Sequence, residues 1–326
     1  MKVFGKLLTV ISVASLGFIS LAPAVLAQQQ GGSGLSVSPT RTELRIEPGS
    51  SSTFTINVRN VTTNSITARP VVNDFYSDDE TGQPQIVVNE EIDVPSIRPF
   101  MPELDEITLA EGEDQSVEIV VSVPEDTAPG GYYGVVRYLA VPEGAPSQDD
   151  GQVSLTASVS SILLVEVPGE IREQVQLRNI EFYRQDIAGT FFTSPPEQVG
   201  LHIVNQGNGF EKPFGNVSVS NMFGNEVHNY EINTGNPRSN VLPESSRTFK
   251  NDIEGVSMPG RYIATASVSF GNGGEVLILS DSFWYLPAWF VIGVLVLIIL
   301  IGTGVYYARK RVTTGSFKTK SSSSKK

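Results

Sequence analysis

Thr53-Phe54-Thr55-Ile56-Asn57-Val58-Arg59-Asn60 alternates apolar and polar residues without a break, so Phe54, Ile56 and Val58 share one face and Thr55, Asn57 and Arg59 the other. A half-buried β-strand has that period. Before it, Glu47-Pro48-Gly49-Ser50 reads as a turn, with φ preset at Pro48 and permissive at Gly49. Val117-Glu118-Ile119-Val120-Val121-Ser122-Val123 alternates in the same way, as do 153–156 and 162–167. No long helical period occurs between residues 35 and 283. Short strands broken by Gly, Pro, Asn and Asp predict an all-β fold of antiparallel sandwiches.

The second half repeats the first. Val199, Leu201 and Ile203 alternate into Asn205-Gln206-Gly207-Asn208, as Phe54, Ile56 and Val58 run into Asn60-Val61-Thr62-Thr63. Leu109-Ala110-Glu111-Gly112 leads through a strand to Pro129-Gly130-Gly131-Tyr132, and Leu242-Pro243-Glu244-Ser245 leads to Pro259-Gly260-Arg261-Tyr262. The expectation is two tandem Ig-like β-sandwiches, 35–168 and 169–283, divided near Val167-Pro168-Gly169-Glu170. The polar loop 142–150 is a second candidate boundary. In the Pro-Gly-x-Tyr element the tyrosine can bury its ring while its hydroxyl bonds back to the backbone, which is scaffolding rather than a binding motif.

The ends of the chain read differently. Residues 1–27 carry Lys2 and Lys6, an apolar run and the small-residue finish Val25-Leu26-Ala27, the order of a secretory signal peptide. Whether this leader is cleaved or kept as an anchor, the chain beyond it is expected outside. Residues 28–34 (QQQGGSG) form a flexible spacer. Residues 286–308 lack any charge and reach about 34 Å as a helix, enough for one transmembrane span. Trp284, Tyr285 and Trp289 flank one end and Tyr306 and Tyr307 the other, and Arg309-Lys310-Arg311 opens a basic tail, 309–326.

Charge agrees with that orientation. Of 23 Lys and Arg, two lie in the leader and seven in the tail, whereas all 35 Asp and Glu lie between them. A positive inside and an acidic outside are expected of a single-pass cell-membrane protein with its C-terminus in the cytoplasm. The acidic body disfavours nucleic acid as a partner, because phosphates would be repelled. Cysteine is absent, so there is no thiol nucleophile, no Cys-ligated zinc and no lipid attachment through cysteine.

In order along the chain, these features resemble the WxL-interacting proteins of Gram-positive-type cell walls. The matching stretches are the Glu47-Pro48-Gly49 turn, the strand Thr53 to Asn60, the strand start at Leu109 to Gly112, and Ala128-Pro129-Gly130-Gly131-Tyr132-Tyr133-Gly134-Val135-Val136. The resemblance implies a peptidoglycan-binding Ig-like domain, a second Ig-like domain called host-binding, one membrane helix and cell-envelope placement. The second domain matches less well than the first.

Chemistry is sparse. His202 alternates with Leu201 and Ile203 and so faces away from them, and His228 lies in a strand or turn; both read as solvated sheet-face residues. No G-x-S-x-G accompanies either, and no catalytic, cofactor or metal residues are assigned. Asp74 with Asp78-Asp79-Glu80, and Glu103 with Asp105-Glu106, offer oxygen ligands without EF-hand spacing, so no tight calcium site is expected. Asn60-Val61-Thr62 and Asn216-Val217-Ser218 fit the glycosylation pattern, but two matches in a chain of this length carry little weight. The function expected is noncatalytic binding at the cell surface, to peptidoglycan or a wall-associated protein. The alternative is a membrane-tethered structural or chaperone-like assembly protein for another exported protein.

Overall fold

The computed structural model describes residues 34–87, 93–142, 157–271 and 275–315. The leader, all of the spacer but Gly34, the alternation at 153–156, most of the 142–150 loop and the last part of the tail lie outside the described residues.

Strands account for nearly all regular structure. The first half contributes β1 (Leu35–Ser38), β2 (Arg41–Arg45), β3 (Ser51–Asn60), β4 (Ile66–Asn73), β5 (Phe75–Ser77), β6 (Pro84–Ile86), β7 (Ile107–Leu109), β8 (Asp114–Ser122), β9 (Gly130–Pro142) and β10 (Ser158–Val167). The second contributes β11 (Val175–Arg184), β12 (Ile187–Gly189), β13 (Phe191–Phe192), β14 (Gln198–Asn205), β15 (Phe214–Asn221), β16 (Glu226–Ile232), β17 (Ser245–Asp252), β18 (Gly260–Ser269) and β19 (Val276–Tyr285).

Each half is a sandwich. In the first, β1-β3-β8 packs on β2-β10-β9-β4-β7, with β5–β6 as a separate hairpin; in the second, β12-β11-β14-β17 packs on β13-β19-β18-β15-β16. The alternating residues meet in two cores. Ile56, Val58, Ile119, Val121, Tyr138 and Val165 belong to the first, and Val199, Leu201, Ile203, Val219, Ala266 and Phe283 to the second. The sheets are antiparallel except at two places: β2 runs parallel to β10 and β13 parallel to β19, because the chain crosses between sheets after β1 and again after β12. Period-two patterning cannot distinguish these directions.

The repeated motifs do repeated work. Tyr132 Oη donates to the Ala128 carbonyl at 2.9 Å and Tyr262 Oη to the Met258 carbonyl at 2.8 Å, each four residues upstream. Asn60 and Asn205, both without exposed surface, end equivalent strands as buried hubs. Asn60 Nδ2 donates to the carbonyls of Asn64, Leu109 and Ala110 while Oδ1 accepts the Thr62 N–H. Asn205 Nδ2 donates to those of Gly209 and Val241 while Oδ1 accepts the Gly207 N–H. A side chain so enclosed is shut off from glycosylation in the folded chain, which removes Asn60 as a modification site.

The hubs also correct the sequence register by one residue. Leu109 corresponds to Val241 rather than Leu242, which places Gly112, at φ +69°, on Glu244, at φ +52°. Matching leucine to leucine respects residue type but misses the bonded carbonyl.

One helix, α1 (Ala288–Gly315), comes after β19, Leu286 and Pro287. Residues 288–310 have a mean hydropathy of 2.7 with none of that surface buried, long and apolar enough to cross a bilayer. The helix begins later and ends later than the 286–308 expected, since nothing in its last turns breaks it. Trp284 and Tyr285, expected to flank the span, are the last residues of β19, paired with Phe191 and Phe192.

Candidate binding cleft between the two sandwiches

The sandwiches are docked on each other through a small apolar cluster and a set of backbone bonds. Phe75, Tyr133, Val135 and Leu164 of the first meet Leu242 of the second, with Phe210 packed alongside. Gly131 allows this. A Cβ there would lie 2.9 Å from the Phe210 ring, and Gly131 N–H donates to the Asn208 carbonyl at 2.7 Å. Asn208 Nδ2 then donates to the Pro129 carbonyl at 3.0 Å, and its Oδ1 accepts the Arg172 N–H at 2.7 Å. At the far side the loop of the β5–β6 hairpin reaches β17: Ser246 Oγ donates to Asp79 Oδ1 at 2.9 Å, and Thr248 N–H to the Glu80 carbonyl at 3.1 Å.

Beside this docking lies an open cleft of about 620 Å³. Its first wall is built from Glu43, Leu44 and Arg45 on β2 with Leu164 and Glu166 on β10; the linker adds Ile171 and Glu173, and the second sandwich adds Phe210, Glu211, Lys212, Phe214 and Arg238. Alternation places Glu43 and Arg45 on the cleft face beside Leu164 and Glu166, with which the parallel pairing aligns them, while Leu44 between them packs against the first core.

Charge inside the cleft is partly matched. Glu43 accepts from Arg41, from Lys212 Nζ at 2.5 Å and from Asn240 Nδ2 at 3.2 Å. Burial raises its pKa, but the bonds from Lys212 and Arg41 outweigh that and hold it below the usual carboxylate range. Arg45 pairs with Glu166 at 2.6 Å, and Arg238 stacks over the Phe214 ring at 4.4 Å. Glu173 and Glu211 form no ion pair among the described residues. Glu211 is 2% exposed. Burial first, then the charge of Glu173 and to a smaller extent Glu166, push its pKa up to about 7, against a lowering bond from the Gly271 N–H.

The residues singled out by sequence lie elsewhere. His202 faces away from Leu201 and Ile203 as expected, yet it is half-buried rather than solvated. Its Nδ1 is 3.0 Å from Thr248 Oγ1, and its Nε2 is buried with no hydrogen-bond partner among the described residues. Burial and the nearby Arg178 lower its pKa, opposed by Glu181 and Asp79. His228 rests near Tyr230, with ring centroids 5.7 Å apart, on edge strand β16. The two histidines belong to opposite sheets, so they are not brought together.

The acidic loop residues are dispersed as well. Asp78 closes its own turn through the Glu80 N–H and the Thr81 hydroxyl, Asp79 bonds Ser246, and Asp74 accepts from Ser96 at 2.5 Å and pairs with Arg98 at 3.5 Å. Glu106 pairs with Arg69 at 2.6 Å. Among the described residues no three acidic or histidine side chains converge on a point where a cation would sit.

No protein-family model matches the chain, and no curated protein sequence does. Among solved structures, the class 5 fimbriae chaperone CfaA is 12% identical, covering 76% of this chain and 98% of its own, with a TM-score of 0.38. The Escherichia coli chaperone DraB is 16% identical over 77% of this chain and 96% of its own, with a TM-score of 0.33. The YadV chaperone, at 12% identity, spans 77% of this chain and all of its own, with a TM-score of 0.33. Each likeness is of overall plan and says nothing of what this chain binds.

Proposed function

We propose that the chain is a noncatalytic, single-pass membrane protein whose two-sandwich ectodomain lies outside the cell and holds a basic segment of another exported protein in the cleft between its domains. The observation that carries this is the pair Glu173 and Glu211. They line an open cavity without a partner cation among the described residues, beside apolar Leu164, Ile171 and Phe210. A lysine or arginine side chain supplies the missing charge, and its methylene stem suits the apolar wall. The span 288–310 and Arg309-Lys310-Arg311 at its end support tethering with the tail inside, which is also what the resemblance to WxL-interacting proteins implies. Peptidoglycan suits the cleft less well, because Phe214, its exposed aromatic, already carries Arg238 over its face.

Photocrosslinking in intact cells tests this. A crosslinking residue at Ile171, on the cleft wall, is expected to trap one predominant protein that a probe at Val120, on the outer edge strand β8, does not. Adducts of wall glycan alone, or none above the Val120 control, would overturn the reading.

A further inference from the structure

At the end of the second sandwich from which α1 leaves, strands of one sheet finish side by side. The register sets Phe191 beside Trp284 and Trp284 beside Arg261, and one strand further Tyr262 beside Asn221. Met222 and Phe223, in the turn after β15, therefore sit on the same rim, where they share a crevice with Met258 and Tyr262. With neighbouring strands about 4.8 Å apart, the row from β13 to β16 is roughly 19 Å wide. Phe191 is 71% exposed and Phe223 66%, and Met222, Met258 and Trp284 are exposed as well. Large apolar side chains gathered in this way mark a surface that meets something other than water.

The connection to the helix identifies the occupant. Only Leu286 and Pro287 separate β19 from α1, and the chain is held to the rim up to that point: Trp284 N–H donates to the Thr190 carbonyl and Leu286 N–H to the Phe192 carbonyl, both at 2.8 Å. Two residues span at most about 7 Å, so a bilayer crossed by α1 lies within reach of the rim. The rim's chemistry suits that zone, because aromatic rings, flexible methionines and one exposed arginine, Arg261, favour the boundary between headgroups and acyl chains. The opposite sheet ends differently. Asp186, Glu197 and Asp252 stand at its corresponding end, where Tyr183 pairs with Gln198 and Gln198 with Asp252.

We infer that the rim of the β13–β16 sheet rests in the outer headgroup layer of the bilayer that α1 crosses, and that it tilts the ectodomain so that the acidic ends of the other sheet stay in water. This rests on the membrane tether proposed above. The chain has no cysteine, so single spin labels can be placed on the full-length protein in phosphatidylcholine–phosphatidylglycerol vesicles, at Phe223→Cys, Met258→Cys, mid-helix Leu297→Cys and Val120→Cys in the first sandwich. Collision with oxygen and with a water-soluble nickel chelate then reads the surroundings of each label. The expected result is nickel contact several-fold lower at Phe223 and Met258 than at Val120, with oxygen contact raised. A lipid-buried Leu297 label alongside rim labels as open to nickel as Val120 overturns the rim inference alone; a nickel-accessible Leu297 label overturns the tether and the rim with it. Rim labels shielded from both reagents indicate a protein contact and also overturn it.

Discussion

The two sandwiches cover their last strands differently. In the first, β2 lies parallel along five residues of β10, whereas in the second β13 covers only Trp284 and Tyr285 of β19 and leaves residues 276–283 without a neighbour on that side among the described residues. Inside, the two are alike: a buried asparagine ends the equivalent strand, and a tyrosine hydroxyl bonds four residues back. The interior bonds are thus what the repeated architecture shares. The covering strand is where the copies diverge, and it gives the first sandwich a wall for the cleft and the second a rim beside the helix.

The largest expected effect tests the shared interior. Asn205→Ala strands the Gly209 and Val241 carbonyls and the Gly207 N–H, and Asn60→Ala strands their counterparts. Each is expected to cost about 3–5 kcal/mol in urea unfolding. A large cost in one sandwich and almost none in the other would break the equivalence.

Next comes Glu211, which has no counterpart charge in the first sandwich's core. Its folded-state pKa is raised from 4.5 to about 7, so the folded chain keeps a proton that the unfolded chain loses. Stability is therefore fully present below about pH 4.5 and falls as pH rises towards 7, by up to about 3 kcal/mol, and then levels. Glu211→Gln should flatten that slope in melts across pH, and an unchanged slope would assign it to other groups.

Smaller effects sharpen the comparison. Tyr262→Phe, which loses bonds at both the Met258 carbonyl and N–H, is expected to destabilise by about 1–2 kcal/mol, and Tyr132→Phe, with one half-exposed bond, by about 0.5–1 kcal/mol. Glu244→Gly should stabilise by up to about 1 kcal/mol, because Gly112 already occupies the matching left-handed position at no steric cost. Denaturant midpoints measured on the same chain check all three.

The strands and the tandem plan are legible because a half-buried strand writes its faces as alternation, and because Pro-Gly-x-Tyr recurs at Tyr132 and Tyr262. The hubs are visible as residues but not as roles: Asn60 matters through the Leu109 carbonyl, 49 positions away. The cleft is not legible at all. It is assembled from β2, β10, the linker and two loops of the second sandwich, and Glu211 becomes unusual only once burial removes its water. Trp284 reads in the sequence as a flank of the span, and that it also closes a strand is not legible, since composition alone does not say where a sheet ends and a helix starts.

The direct junction of β19 with α1 also sets how the second sandwich bears load. The chain enters it at Val175 on β11 and leaves it at Tyr285 on β19, two strands that run the same way on opposite sheets, with Phe182 and Phe283 in ring contact at 4.6 Å between them. A pull along the helix axis, resisted at the first sandwich, drags these strands lengthwise in opposite directions. The ten residue pairs between β18 and β19 would then be sheared together rather than unzipped one by one, a geometry in which a fold yields late and all at once.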